Sequence, residues 1–320
     1  MSTRCHETPP VSPGLAFIGK NSRETLFAVA QQERIEGRTV FGRDPAAYDR
    51  ARPPYPERVY EVLRDRCGLR DGTAVLELGP GPGTATRRLL ELGADPLVAV
   101  EPNPASAAYL VEATGGTVEV LVAPFEEVEL PRSFDLVVAA TSFHWIDPEP
   151  GIPKVFGALR DGGWFAMWAN IHGDLASDDA FHLATEELLG PSPGVPWARF
   201  TDEETNVRLL SAAGFVDVEY ELLRSSMRFD PVGIRALYAT FSGIERRPPD
   251  ERESVLDGLE RIAADEFGGV VERGILTTLY TARKPCGELS ASRGARLSRR
   301  NEKANCSPGA VGGDRAVAGE

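Results

Sequence analysis

Glu77-Leu78-Gly79-Pro80-Gly81-Pro82-Gly83-Thr84 decides the reading of this chain. The apolar run Thr73-Ala74-Val75-Leu76 precedes it, and Ala85-Thr86-Arg87-Arg88-Leu89-Leu90-Glu91-Leu92 follows as a plausible helix. A second apolar run, Leu97-Val98-Ala99-Val100, ends on Glu101. The order is strand, acidic residue, glycine loop, helix, strand, acidic residue. That is a βαβ unit suited to a nucleoside-containing ligand.

The loop chemistry narrows the ligand. Glycine takes the φ/ψ of a tight strand-to-helix turn without a Cβ clash and lets a ligand approach the backbone closely. Dinucleotide loops read G-x-G-x-x-G and aim a helix N-terminus at a pyrophosphate. Here the third glycine, Gly83, comes one residue early, and Thr84 occupies the place of the dinucleotide glycine. Pro80 and Pro82 remove two backbone donors that a pyrophosphate would use. Glu77 would repel a phosphate and suit a ligand with a positive amino group. S-adenosylmethionine has a ribose, an adenine, an amino acid end and no phosphate, so it is the expected cofactor. Glu101 stands 22 residues after Gly79, at the end of the second strand, where a carboxylate can accept from both ribose hydroxyls.

Composition agrees with an α/β enzyme. The 320 residues suffice for one large α/β domain or two small ones, and 42% apolar content supports a core. No apolar run approaches the roughly 18 residues of a membrane span, and Leu15-Ala16-Phe17-Ile18-Gly19 is too short for a signal peptide. Cys5, Cys67, Cys286 and Cys306 form no C-x-x-C pair, which argues against a disulfide framework and a zinc site and makes a reducing, cytoplasmic compartment the expectation. Net charge is −13. Residues 1–40 carry five basic and four acidic side chains and residues 285–320 six and four, which leaves −16 on the middle. So acidic a surface repels phosphate backbones, and nucleic acid is not an expected partner.

Along the chain, strands are expected at 73–78, 97–101, 117–122, 134–140, 163–169, 215–224 and 274–282. Helices are expected at 84–92, 104–113, 151–160 and 202–213, with a weak amphipathic candidate at 22–36. This alternation makes a mostly parallel sheet with helices on both faces. Residues 1–37 and 285–320 read as disordered extensions around a domain spanning 38–284. Two segments interrupt the alternation, 171–200 and 225–272, the latter reading as two helices around Pro248-Pro249. Both are expected to form a helical cap over the ligand end of the sheet.

On Glu77-x-Gly79-x-Gly81-x-Gly83, Glu101, Phe134-Asp135-Leu136-Val137 and Leu159-Arg160-Asp161-Gly162-Gly163, the stretch 41–170 resembles class I S-adenosylmethionine-dependent methyltransferases. Phe41-Gly42-Arg43-Asp44-Pro45-Ala46-Ala47-Tyr48 through Arg52-Pro53-Pro54-Tyr55-Pro56 is similar to the N-terminal lid of small-molecule members. Ser142-Phe143-His144-Trp145 is most like the trans-aconitate methyltransferase group. The resemblance implies a Rossmann-like fold of seven strands, the last antiparallel. It implies that Glu77 approaches the methionine amino group, directly or through water, that Gly79, Gly81 and Gly83 form the cofactor loop, and that Glu101 takes the ribose. Tyr48 would close over the methionine end. Many relatives carry an Asp after the third strand for the adenine; here Pro124 stands in that place, which leaves the adenine to the Phe125 backbone and to packing, or the affinity weak.

Because the cofactor's methyl is already electrophilic, holding a nucleophile in line supplies most of the catalysis. A carboxylate acceptor needs no base, whereas a phenol, amine or carbon acid gains from one. His144 is the candidate catalytic residue and His172 a second candidate. Arg52, Phe143 and Trp145 are the expected acceptor pocket. The expected function is methyl transfer to a small molecule such as a carboxylic acid. The alternative is a catalytically silent S-adenosylmethionine-binding module. Oligomeric state is not legible.

Overall fold

The structure, a computed structural model, describes residues 44–173, 179–190 and 198–287. The extension expected at 1–37, the helix candidate at 22–36 and all but residues 285–287 of the extension expected at 285–320 lie outside the described residues.

Seven strands form one sheet in the order β3-β2-β1-β4-β5-β7-β6. They are β1 (Thr73–Leu78), β2 (Ala94–Val100), β3 (Glu119–Leu121), β4 (Phe134–Ala140), β5 (Leu159–His172), β6 (Val216–Phe229) and β7 (Val271–Arg283). The first five are mutually parallel, and β7 inserts antiparallel between β5 and β6. The mostly parallel sheet with an antiparallel last strand is as expected. β1 is buried along its whole length, which suits a central parallel strand covered on both faces.

Two apolar layers flank the sheet. One gathers Leu76, Val98, Phe134, Val137, Phe165 and Phe215. The other gathers Val75, Leu97, Leu136 and Trp168 with Val59 and Leu63 from α2 (Glu57–Asp65) and Leu89 from α3 (Thr84–Glu91). Alternate β1 residues feed opposite layers, as the two-residue strand period requires.

Helix starts follow the local chemistry. Asp44 caps α1 (Pro45–Ala51) by accepting from the Ala47 N–H at 2.8 Å, and Pro45 pre-sets the first turn. Asn103 caps α4 (Pro104–Ala113) through the Ala105 and Ser106 N–H groups, again ahead of a proline. Asp147 does the same for α5 (Pro148–Ala158). This cap starts α5 three residues before the expected 151, and Leu159 already belongs to β5. The register shifts between Leu159 and Trp164, which pair with Phe134 and Leu136, so residues 160–163 form an irregularity within β5. The chain then passes α6 (Ala180–Leu189), α7 (Ala198–Thr201) and α8 (Glu203–Ala212).

The segments expected as a cap hold helices. The expected pair of helices around Pro248-Pro249 is three: α9 (Pro231–Ala239), α10 (Ser242–Glu245) and α11 (Pro249–Asp265). β6 runs on to Phe229 and β7 begins at Val271, because the two strands pair without interruption between Tyr220–Tyr280 and Phe229–Val271. α6, α9 and α11 share a core of Phe181, Ile234, Tyr238, Leu256 and Leu259. No helix among the described residues is long and apolar enough to cross a membrane.

Candidate active site

The carboxyl ends of β1, β2 and β4 meet α1 in a cavity of about 1000 Å³, its mouth included. Open α/β sheets bind ligands at this end. Its walls combine the glycine loop, Val100 to Asn103, Phe125, Thr141, Ser142, His144 to Ile146, and Tyr48, Arg52 and Tyr55 from the segment expected as a lid.

The loop is shaped by close approach. Gly79 has φ of +63°, and a Cβ there would stand 2.7 Å from the Ser142 Cβ. Gly83 has φ of +92° and caps α3; a Cβ there would meet Leu110 Cδ1 at 2.6 Å. Gly79 and Gly81 line the cavity, while Gly83 lies behind it and lets α3 pack on α4.

Glu101, 6% exposed, lines the cavity and is held from two sides. Its carboxylate accepts from the Gly81 N–H at 3.0 Å and the Asn103 N–H at 2.9 Å. Burial raises its pKa and these two donors oppose the rise.

Glu77 does not line the cavity. It is fully buried in β1, one residue behind the loop, and neither carboxylate oxygen has a hydrogen-bond partner in the protein. Burial pushes its pKa up to about 7, and the charge of Glu101 adds to the rise; the nearby Thr86 hydroxyl and Arg87 oppose it. Unpartnered buried oxygens are costly, and a carboxylate so placed fits a cationic ligand group at the loop.

Side chains tie α1 to the rest of the domain. Asp49 of α1 pairs with Arg87 of α3 at 2.6 Å and accepts from the Tyr109 hydroxyl of α4 at 3.2 Å. Tyr48 and Phe241 flank the Arg52 guanidinium at 5.0 and 4.6 Å, and Arg52 donates to the Thr240 carbonyl at 3.0 Å. The Arg52 Nε is buried without a partner, and no described carboxylate pairs with this cation.

His144 and Trp145 both line the cavity, their rings 4.4 Å apart, and Phe200 closes on His144 at 5.2 Å. Phe143, expected in the acceptor pocket, turns instead into the sheet layer against Phe165 at 5.3 Å, because a 3₁₀ turn sends successive side chains about a third of a turn apart. His172 lies outside the cavity wall, stacked on Phe241 at 5.4 Å. Burial and the charges of Arg52 and Arg273 push its pKa down to about 3, which makes it a poor proton acceptor near neutrality. Phe125 lines the cavity beneath the Lys154 ammonium.

Sequence reasoning missed Tyr55 and Thr141. The Tyr55 hydroxyl donates to Thr141 Oγ1 at 2.9 Å, and Thr141 sits at φ of +53°. Pro54-Tyr55-Pro56 carried a signal, since an aromatic between prolines is poorly placed for a helix; Thr141 carried none.

Comparison with known proteins follows from this geometry. Residues 76–167 match the methyltransferase domain family. An uncharacterized methyltransferase of Mycobacterium bovis is 41% identical over 177 residues, 52% of this chain and 70% of that protein. This chain belongs to the class I S-adenosylmethionine-dependent methyltransferases. An uncharacterized methyltransferase of Schizosaccharomyces pombe is 27% identical over 258 residues, covering 78% of this chain and 98% of its own. Among solved structures, a chain from Anaeromyxobacter dehalogenans provisionally named a type II methyltransferase shares the fold, with a TM-score of 0.53 at 20% identity over 74% of this chain and 99% of that one.

The methyltransferase's cofactor is S-adenosylmethionine, and the residues present fit it. Glu101 faces the cavity with a carboxylate for a diol, the glycine loop leaves room for close approach, and Glu77 leaves two buried oxygens unpaired behind that loop.

Proposed function

We propose that this methyltransferase methylates a small organic acid on a carboxylate oxygen. The observation that carries the reading is Arg52: a cation in the cavity wall with no described carboxylate partner and with a buried, unpartnered Nε. Such a group favours an anion in the cavity. The enclosed walls suit a small acceptor.

In this reading Glu101 holds the ribose, Gly79, Gly81 and Gly83 shape the loop, and Glu77 compensates the cofactor's amino group from behind it. Phe125 packs beside the adenine. Tyr48 and Arg52 close the lid, and Trp145 walls the acceptor pocket. When bound, the cofactor would supply an electrophilic sulfonium methyl for the acceptor's lone pair, its sulfur keeping the C–S electron pair. The protein aligns the two and excludes water, and alignment is worth roughly 7–11 kcal/mol of barrier. His144 orients the acid. A carboxylate is ionised at neutral pH and needs no proton removed.

The test is methyl transfer from methyl-labelled S-adenosylmethionine to panels of acids, phenols and amines. The expected result is turnover of an acid at a rate flat from about pH 5.5 to 8, well above the ordinary carboxylate pKa. A rate that rises through pH ~6.5 on a phenol or amine, and falls by about 10² or more in His144→Ala, replaces this reading with base catalysis by His144.

A further inference from the structure

Thr141 combines three features that the binding roles above leave unused. It is a β-branched residue at φ of +53°, a region that such side chains rarely enter. Its backbone is pinned there: the Thr141 N–H donates to the Trp168 carbonyl at 2.7 Å, and the next hydroxyl, Ser142 Oγ, donates to the Leu78 carbonyl. Its own hydroxyl receives the Tyr55 proton at 2.9 Å, and both residues line the cavity.

Bond directions follow from this. Thr141 Oγ1 accepts from Tyr55, so its remaining proton has to point elsewhere. No described protein group accepts it, and the cavity is the open side. Tyr55 stays protonated, because burial pushes its pKa far up; its hydroxyl finds its acceptor in Thr141 Oγ1, and its ring is held edge-on against Trp168 at 5.7 Å. A hydroxyl that accepts one hydrogen bond becomes a better donor of the next. Backbone strain retained at a site wall is a mark of function when the surroundings enforce it.

We propose that Thr141, backed by Tyr55, is the positioning residue for the acceptor: its hydroxyl donates to the carboxylate oxygen that does not attack, turning the other toward the methyl. This rests on the reading of the acceptor as an acid. The pair sits at the end of β4, between the glycine loop and His144. That places it where cofactor and acceptor must meet.

The experiment uses the full chain with Thr141→Val, which keeps the shape and strain and deletes the hydroxyl, and Tyr55→Phe, their double variant and Thr141→Ser. The probes are S-adenosylhomocysteine alone, then straight-chain acids of two to ten carbons and benzoic acid, tested for binding to the S-adenosylhomocysteine-loaded protein and for methylation. In the parent, at least one acid binds and is methylated. Thr141→Val is expected to lower kcat for that acid by about tenfold or more, as one hydrogen bond to a charged group is lost. KM should move less, and S-adenosylhomocysteine affinity and the melting temperature of the ligand-free chain should hold. Tyr55→Phe should lower kcat less, and the double variant should be no worse than Thr141→Val, because the two act as one relay. Thr141→Ser should restore kcat with an equal or higher melting temperature.

The proposal falls if Thr141→Val turns over like the parent, if its loss tracks a lower melting temperature, or if the two single losses multiply. It also falls if S-adenosylhomocysteine binds but no acid binds or reacts; the methyltransferase site then stands and the acid reading fails with it. Absence of S-adenosylhomocysteine binding would instead fault the cofactor roles assigned to Glu101 and the loop.

Discussion

Glu101 Oε2 accepts a hydrogen bond from the Gly81 N–H at 3.0 Å. The expected ribose anchor and the cofactor loop are therefore one unit, closed by the Asn103 N–H on the other oxygen. Glu101→Ala removes both the loop tie and the carboxylate. A tenfold or greater loss of S-adenosylhomocysteine affinity is expected in calorimetry, since bonds to a charged acceptor are worth roughly 1.5–3 kcal/mol each. Glu101→Gln should fall between variant and parent. Unchanged affinity in Glu101→Ala would remove Glu101 from the ribose site.

Glu77 links stability to pH. Its folded pKa of about 7 lies above the ordinary 4.5, so between these values the folded chain holds a proton that the unfolded chain releases. The protonated group's stability is fully present below about pH 4.5 and is lost as pH rises through 7. Glu77→Gln should therefore stabilise the ligand-free chain at pH 8, by about 1–3 kcal/mol, and leave it near the parent at pH 4.5. The same variant should bind S-adenosylhomocysteine more weakly at pH 8. Denaturant melts at the two pH values test this, and an equal effect at both pH values would refute it.

Asp49 ties the lid to the domain body through Arg87 and Tyr109. The Arg87 side chain is 38% exposed, so the pair adds little to global stability. Its effect should appear in the lid. Asp49→Ala is expected to speed S-adenosylhomocysteine release by about two- to fivefold, in keeping with up to about 1 kcal/mol for such a pair, with the melting temperature little changed. Trp145 lines the cavity, so its fluorescence in stopped flow can report the release. A release rate equal to the parent's would show that the pair does not latch the lid.

Local signals made much of the fold legible. The strand at 73–78 is as expected, and the helix at 84–92 ends one residue early. Both sit within a short window where apolar period and glycine punctuation agree. The acidic ends and the glycine loop could be placed for the same reason. The late strands were less legible. β6 runs five residues beyond the expected 224, because its outer half is stabilised by pairing with β7 across some forty intervening residues, not by its own half-exposed sequence. The lid helices were masked by Pro45, Pro53, Pro54 and Pro56, which read as breakers until Pro45 is seen to occupy a first turn.

By itself the sequence determined the cofactor class. The glycine spacing, the two prolines in the loop and the carboxylates Glu77 and Glu101 are fixed by covalent order, and their chemistry needs only the strand–loop–helix context that the same residues encode. Tertiary structure decided what each side chain faces. It buried Glu77 behind the loop instead of in the cavity wall, turned Phe143 into the core and left His172 neutral beneath two arginines. It also brought Tyr55 to Thr141, 86 positions along the chain, and held Thr141 at a positive φ. These outcomes depend on desolvation and on contacts between distant segments. Neither is written in any local pattern, because burial and electrostatic environment exist only once the layers have packed.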